Sequence, residues 1–293
     1  MVRLSARVKI VTDSTAYLLP ETVARYDIRV VPLKVIFGSE SFAEGVDITN
    51  EEFYQRLARS KALPTTSQPS VSDFIQVYAE LTQPGYDILS IHISGKLSGT
   101  INSALAARAA FPQARIEVVD WLSMGMGLLV LAAARAAEEG RGLAEIKAMI
   151  KRLTANMNIF CTLGTLKYLQ KGGRIGAAAT LVGTLLKIKP VLTLDNGEVR
   201  VLAKPRNRDK AVQCMLKFMA QRVEEKARIH GAIVHTRAPE EASVLEKEVR
   251  ACFNCDELYF IELGPVFATH TGPGTLGMAF YSDELPERGG EGN

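Results

Sequence analysis

The chain has 293 residues, 47% hydrophobic and 23% charged, with a formal net charge of +3 and four cysteines. That length suits one large α/β domain or two of ordinary size, with the composition of a globular protein. So small a net charge, without zinc-finger spacing or an RNA-binding aromatic signature, argues against nucleic acid as a partner, and four scattered cysteines suit a reduced, cytoplasmic compartment.

In chain order, residues 8–15 read as a strand running into a hydroxyl-rich turn. Pro20 suits the first turn of a helix over 20–25. Residues 29–37 read as one strand that tolerates Pro32 early in its run, with Gly38-Ser39 as the hairpin turn into Ser41-Phe42. Thr49 and Glu52 have capping-box spacing, so a helix is expected from there to about Ser60. Residues 63–70 form a polar loop with two prolines, the second biasing Gln68 toward an extended shape. Ser70 or Ser72 caps the next helix, to about Leu81. Residues 87–93 are a short apolar run, read as a buried strand, and the Ala- and Leu-rich stretch 100–111 as a helix. A strand at 116–119 and helices at 124–139 and 143–156 follow, separated by Gly140 and Gly142.

The composition shifts near Asn158. A strand at 159–163 precedes a short helix from 166 that two glycines end, and then an apolar helix at 177–186. Asp195-Asn-Gly197, between runs 189–194 and 198–202, is a hairpin signal. Helix 209–223, strand 228–235, helix 239–253 and strands 257–263 and 275–281 complete the pattern. The fold class expected is α/β with two domains. Residues 1–160 form a parallel sheet with helices on both faces, and residues 161–285 an α/β domain with a mixed or antiparallel sheet. Residues 286–293 are a tail expected to fray. No apolar segment suits a signal peptide, and the runs at 127–137 and 177–186 are too short to span a bilayer, so a soluble protein is expected.

Ligands of open parallel sheets sit beyond the C-terminal strand ends, where the polar segments 13–15, 94–100 and 120–123 fall. The junction from Ser94 to Thr100 presents backbone N–H groups and short hydroxyls at a helix start, a place to hold a carboxylate. Four polar clusters stand out: Thr65-Thr-Ser-Gln-Pro69, Ser98-Gly-Thr100, Lys171-Gly-Gly-Arg-Ile-Gly176 and His270-Thr-Gly-Pro-Gly274. They supply donors without a matching carboxylate or thiolate nucleophile. Arg174 suits a carboxylate or phosphate, or else a surface salt bridge. His270 suits an anion, a proton shuttle or a structural hydrogen bond. The basic run 204–210 is either a solvated face or a docking patch for an acidic partner or an anionic membrane surface.

Several enzyme signatures fail. No phosphate loop exists, because Gly95-Lys96 lacks the preceding glycine and the following hydroxyl. Gly125-Met-Gly127 lacks the third glycine of a dinucleotide site, and no nucleophile elbow appears. Cys252 and Cys255 have redox-like spacing but no second pair for zinc, and four histidines without paired spacing argue against a metal.

At its four clusters the chain resembles the DegV family, bacterial fatty-acid-binding proteins that serve fatty acid kinase. The motifs run in family order from Val11-Thr-Asp-Ser-Thr15 through Thr66-Ser-Gln-Pro69, Leu97-Ser-Gly-Thr100 and Lys171-Gly-Gly-Arg-Ile-Gly176 to His270-Thr-Gly-Pro-Gly274. The resemblance implies a long-chain fatty acid buried between two α/β domains, with Ser98 and Thr66 hydrogen-bonding its carboxylate. It implies that Arg174 and His270 flank that head group, with Arg206 as a further companion. Thr65, Ser67, Gly99, Thr100 and Asn102 complete the candidate ligand-binding set. It also implies a separate ATP-using kinase subunit that phosphorylates the bound acid, and no nucleotide site in this chain; no cofactor is expected, and transient contact with a membrane surface is the alternative that the basic run itself offers. Gly95-Lys96 departs from the family pattern, which leaves Lys96 either adding charge near the site or pointing to solvent.

Burial of roughly fifteen methylenes at about 0.8 kcal/mol each offers on the order of 10 kcal/mol before binding costs. The carboxylate must then keep its hydrogen bonds. The apolar stretches 127–137 and 177–186 are candidates to line the tunnel or simply core helices. Two other functions remain open: a self-sufficient phosphoryl- or acyl-transferase with His270 as acid/base and Arg174 as anion clamp, or a regulator that binds another anion.

Overall fold

The strand β1 (Val8–Asp13) is flanked on both sides by parallel partners. β2 (Arg29–Val31) pairs with it on one side and β6 (Asp87–Ile93) on the other, and β7 (Ile116–Trp121) adds to β6 in parallel. The computed structural model describes residues 7–121, 124–181, 188–195 and 197–282. All seven residues of β6 are buried, because successive side chains enter opposite cores. Ile88 packs with Phe74 and Tyr78 of α3 (Val71–Thr82) and Ala104 of α4 (Thr100–Arg108). Leu89 packs on the other face with Leu129 of α5 (Met126–Glu138) and Ile146 of α6 (Leu143–Asn156).

The expected single strand at 29–37 is two strands in different sheets. β2 ends at Val31, and β3 (Lys34–Phe37) resumes beyond Pro32, pairing antiparallel with β4 (Glu40–Ala43). Proline has no N–H to give a ladder, which makes Pro32 a natural place for the chain to leave the sheet. The hairpin turn at Gly38 has φ 61°. The loop expected at 63–70 also contains a strand, β5 (Thr65–Ser67), paired with β3. Local sequence could not show this, because the ladder partner lies thirty residues upstream.

Helix starts follow the sequence. Pro20 opens α1 (Pro20–Arg25), and α2 (Asn50–Arg59) has the Thr49–Glu52 capping box. Ser70, rather than Ser72, caps α3, reciprocated by Asp73.

From β8 (Asn158–Thr162) the chain builds a second sheet. After α7 (Lys167–Lys171) come the hairpin β9 (Val191–Asp195) and β10 (Glu198–Ala203), α8 (Arg208–Ala220), β11 (Ile229–Thr236), α9 (Pro239–Cys252) and β12 (Cys255–Glu262). A seven-residue helix, α10 (Pro265–Thr271), precedes the central strand β13 (Thr275–Ser282). The order is β10-β9-β8-β13-β11-β12, antiparallel except for the β11–β12 pair. The sheet is therefore mixed, as expected. One face packs on α8 and α9 through Met215, Met219, Leu245 and Val249. The other, through Ile159, Ala232 and Ala279, meets Met124 and Leu128 from the first half of the chain.

α10 was not foreseen. Pro265 at its first position and Gly272 at its end are ordinary boundary signals, yet two turns leave too little periodicity to read. The apolar helix expected at 177–186 is described only in part: its first turns are a 3-10 segment, Gly176–Leu181, and residues 182–187 lie outside the described residues.

Candidate ligand-binding site

A cavity of about 340 Å³ lies where the two large sheets and the small one face each other. At one end sit Thr66 and Ser67 of β5, Ser98 and Gly99 of the β6–α4 junction, Arg174 after α7, and His270 of α10. The rest of its wall is chiefly apolar: Leu163, Leu169, Leu192, Leu194, Val266 and Phe267. Thr15, Thr193 and Thr271 interrupt that wall, and a cavity of this volume with a few polar groups in a chiefly apolar lining suits an amphipathic small molecule.

The polar end is built from four segments far apart in sequence. Thr66 Oγ1 and His270 Nε2 are 2.8 Å apart. Ser98 Oγ lies 2.9 Å from Thr100 Oγ1 and accepts the Thr100 N–H at 3.4 Å. Arg174 donates from Nε to the Leu97 carbonyl at 3.1 Å and from Nη1 to the Gly172 carbonyl at 2.6 Å. Its guanidinium therefore ties the Ser98 loop to the end of α7. Two glycines make this interlocking possible. A Cβ on Gly99 would overlap the Gln68 amide, and one on Gly172 would overlap His270 Nδ1.

The imidazole of His270 is mostly enclosed. Burial first, and the Arg174 charge second, push its pKa down to about 4, so at neutral pH it is an uncharged donor or acceptor. Its Nδ1 is buried without a hydrogen-bond partner. Cys161 on β8 also lines the cavity, and burial raises its thiol to about 12, which keeps it protonated at neutral pH and slow to react.

Of the expected site residues, Thr66, Ser67, Ser98, Gly99, Arg174 and His270 line the cavity. Thr100 is buried directly behind Ser98. Thr65, Asn102 and Arg206 are exposed and do not line it. Lys96 points outward, its Nζ 3.4 Å from Glu198 on the neighbouring hairpin. Asp120 accepts the Gly95 N–H at 3.2 Å and so supports the loop from below; Ser123, in the same expected cluster, is outside the described residues. The stretch 127–137 is not a tunnel wall: α5 packs beneath the parallel sheet, with Leu129, Val130 and Ala133 in its core. Sequence reasoning missed Gln68, Cys161 and Phe267. The Thr66-Ser-Gln-Pro69 motif already contained the first, and nothing local marks the other two.

Beneath the site runs a second polar chain. Tyr78 Oη donates to Ser90 Oγ at 2.8 Å, Ser90 Oγ lies 2.6 Å from His92 Nε2, and His92 Nδ1 lies 3.1 Å from Asp13 Oδ2. The order imitates a hydrolase triad. Ser90, His92 and Asp13 are all 0% exposed, however, so no substrate reaches Ser90. Asp13 also accepts the Ile93 N–H at 3.0 Å and the Thr15 N–H at 3.0 Å. The network thus fixes the ends of β1 and β6, from which Thr15 and Ile93 enter the cavity wall.

The chain is similar to known proteins over almost its whole length. The family model described as "Uncharacterised protein, DegV family" matches residues 7–283. A DegV domain-containing protein of Clostridium acetobutylicum is 36% identical over 283 residues, covering 94% of this chain and 98% of the relative. A solved structure of a DegV family protein from Thermus thermophilus, described by its fatty acid binding, is 40% identical, with a TM-score of 0.90 over 94% of this chain and 99% of that one. A stearic-acid-binding protein from Eubacterium ventriosum is 31% identical, with a TM-score of 0.85 over 94% of this chain and 98% of that one.

Proposed function

The chain belongs to the DegV family, and on that premise we propose that it binds a long-chain fatty acid and presents the carboxylate to a separate ATP-dependent kinase. The observation that carries the reading is the cavity's lining: clustered hydroxyls and a neutral imidazole set in a wall that is mostly leucine, valine, isoleucine and phenylalanine. The acyl chain occupies the apolar part, between domains that we take as residues 1–160 and 161–285. The carboxylate meets Ser98 and Thr66. With Nε2–H donating to Thr66 Oγ1, His270 frees the threonine hydroxyl to donate to a carboxylate oxygen. Ser67, Gly99 and Thr100 shape that end of the cavity; Thr65 and Asn102, on the surface beside it, contribute at most to its rim.

Arg174 is exposed at the same end, where a phosphoryl group would arrive from outside. In this reading it neutralises charge on the incoming phosphate, and the exposed Arg206 adds to the docking surface for the kinase. The basic run 204–210 with exposed Leu202 suits brief contact with an anionic membrane during lipid exchange. Four free cysteines suit a cytoplasmic setting. No helix among the described residues is long and apolar enough to cross a membrane.

Organic extraction and mass spectrometry of protein purified from bacterial cells test the reading, followed by calorimetric titration of delipidated protein with palmitate and oleate. A co-purifying fatty acid and saturable binding are expected. Repeatedly empty protein that takes up neither acid would exclude it. Adding a fatty acid kinase and ATP should then produce acyl phosphate, which neither protein makes alone.

A further inference from the structure

α10 has two turns and no side-chain cap of its own. Its first free N–H groups are taken by residues from the far end of the chain. Glu44 Oε1 accepts the Val266 N–H at 2.7 Å, and Tyr17 Oη accepts the Phe267 N–H at 3.0 Å. Tyr17 Oη donates in turn to Glu44 Oε1 at 3.3 Å. Ser14 Oγ donates to Glu44 Oε2 at 2.6 Å and accepts the Leu33 N–H at 3.1 Å. Glu44 is only 6% exposed. Glycine at 264 permits the approach, since a Cβ there would stand 2.6 Å from Glu44 Oε1 and 2.7 Å from the Tyr17 ring.

These contacts close a circuit. Glu44 directly follows β4, β4 pairs with β3, and β3 pairs with β5, which carries Thr66. α10 carries His270 in its last turn, and His270 meets Thr66. Val266 and Ala268 pack into the same cluster as Leu33, Val35 and Phe53, so the helix also rests on the small sheet. A buried carboxylate is a costly way to fasten a two-turn helix, and a serine or aspartate at the cap position would satisfy the same N–H groups locally. A local cap would not set the helix's position relative to the sheet.

We propose that Glu44 is a positioning residue for the ligand's carboxylate: by fixing the start of α10 to the end of β4, it sets His270 against Thr66 and so the shape of the head-group site. This rests on the fatty-acid reading above. Tyr17 extends the clamp to the second helix N–H. Val266 and Phe267 both line the cavity, so a slack helix start would also loosen the wall beside the acyl chain.

The test compares delipidated wild type with E44A, E44Q and Y17F, using palmitate labelled with carbon-13 at its carboxyl and the His270 imidazole signals of the unliganded proteins by NMR. E44A should raise Kd by about tenfold or more, a loss of roughly 1.4 kcal/mol, and shift both the carboxyl and the His270 signals. E44Q keeps an acceptor for Val266 and should restore the His270 signals and most of the affinity. Y17F should show a smaller version of the E44A effect, and it carries the test if E44A does not fold. Wild-type His270 signals and affinity in E44A, or in Y17F where E44A does not fold, would overturn the proposal. So would affinity that merely tracks melting temperature, judged against I146V in the remote core. If wild type itself fails to bind palmitate, the ligand reading falls instead, and the His270 signals of the unliganded variants still decide the clamp.

Discussion

Thr66 Oγ1 and His270 Nε2 lie 2.8 Å apart across 204 residues of chain. The contact joins the small sheet to α10, the last helix among the described residues, at the cavity wall. With Nε2 committed to Thr66 and Nδ1 pressed against Gly172, the imidazole has little freedom to rotate.

The hydroxyls should therefore govern retention. Thr66→Ala with Ser98→Ala removes two hydrogen bonds to a charged group, each worth about 1.5–3 kcal/mol, so calorimetry should show affinity falling by two orders of magnitude or more. Arg174→Ala loosens the Ser98 loop as well, so it should weaken binding, though less than the double variant, and mainly lower acyl-phosphate formation by the partner kinase.

Affinity should depend on pH through His270. A carboxylate beside the ring favours the imidazolium, so binding raises the pKa above its free value of about 4 and takes up a proton. By linkage, binding strengthens as pH falls through the liganded pKa. His270→Gln should flatten that part of the profile, measured as Kd from pH 8 to 5. The acid's own titration is common to both proteins and cancels in the comparison.

Stability should depend on pH through Glu44. Burial raises its pKa from 4.5 to about 7, against the lowering effect of its hydrogen bonds to Ser14 and Val266. The folded chain therefore holds the proton more tightly than the unfolded one. This contribution is fully present below about pH 4.5 and is lost as pH rises through about 7. Glu44→Gln keeps the site uncharged, so its stability relative to wild type should grow between pH 5 and pH 8, by at most on the order of 3 kcal/mol. Urea unfolding across that range measures it.

Gly172→Ala should disturb the site although the backbone there, φ −76°, accepts any residue. Its Cβ would collide with His270, which predicts a loss of about 1–3 kcal/mol in stability and weaker fatty-acid binding. Gly140→Ala is the control. Its φ of +82° imposes backbone strain of about 1–2 kcal/mol, but the Cβ meets nothing within 4 Å, so binding should not change.

Cys161 offers a probe of occupancy. Its thiol opens to the cavity rather than to bulk solvent, whereas Cys252 is exposed. Mass-spectrometric alkylation should label Cys252 first and Cys161 last, and palmitate should slow Cys161 further without affecting Cys252.

The elements that could be read along the chain are those whose signals are local. The seven-residue buried strand β6, the capping boxes at Thr49 and Ser70 and the hairpin ahead of β10 all state their structure within a few residues. The four polar clusters, as a series, also contained Thr66, Ser67, Ser98, Gly99, Arg174 and His270, which line one cavity. Only the folded chain decided how they gather. β5 takes its form from β3, α10 from Glu44 and Tyr17, and the glycines at 99 and 172 from Gln68 and His270 in other segments. A hydrogen bond or steric contact between residues far apart in the chain leaves no periodicity for sequence to show, so nothing local singles out Glu44.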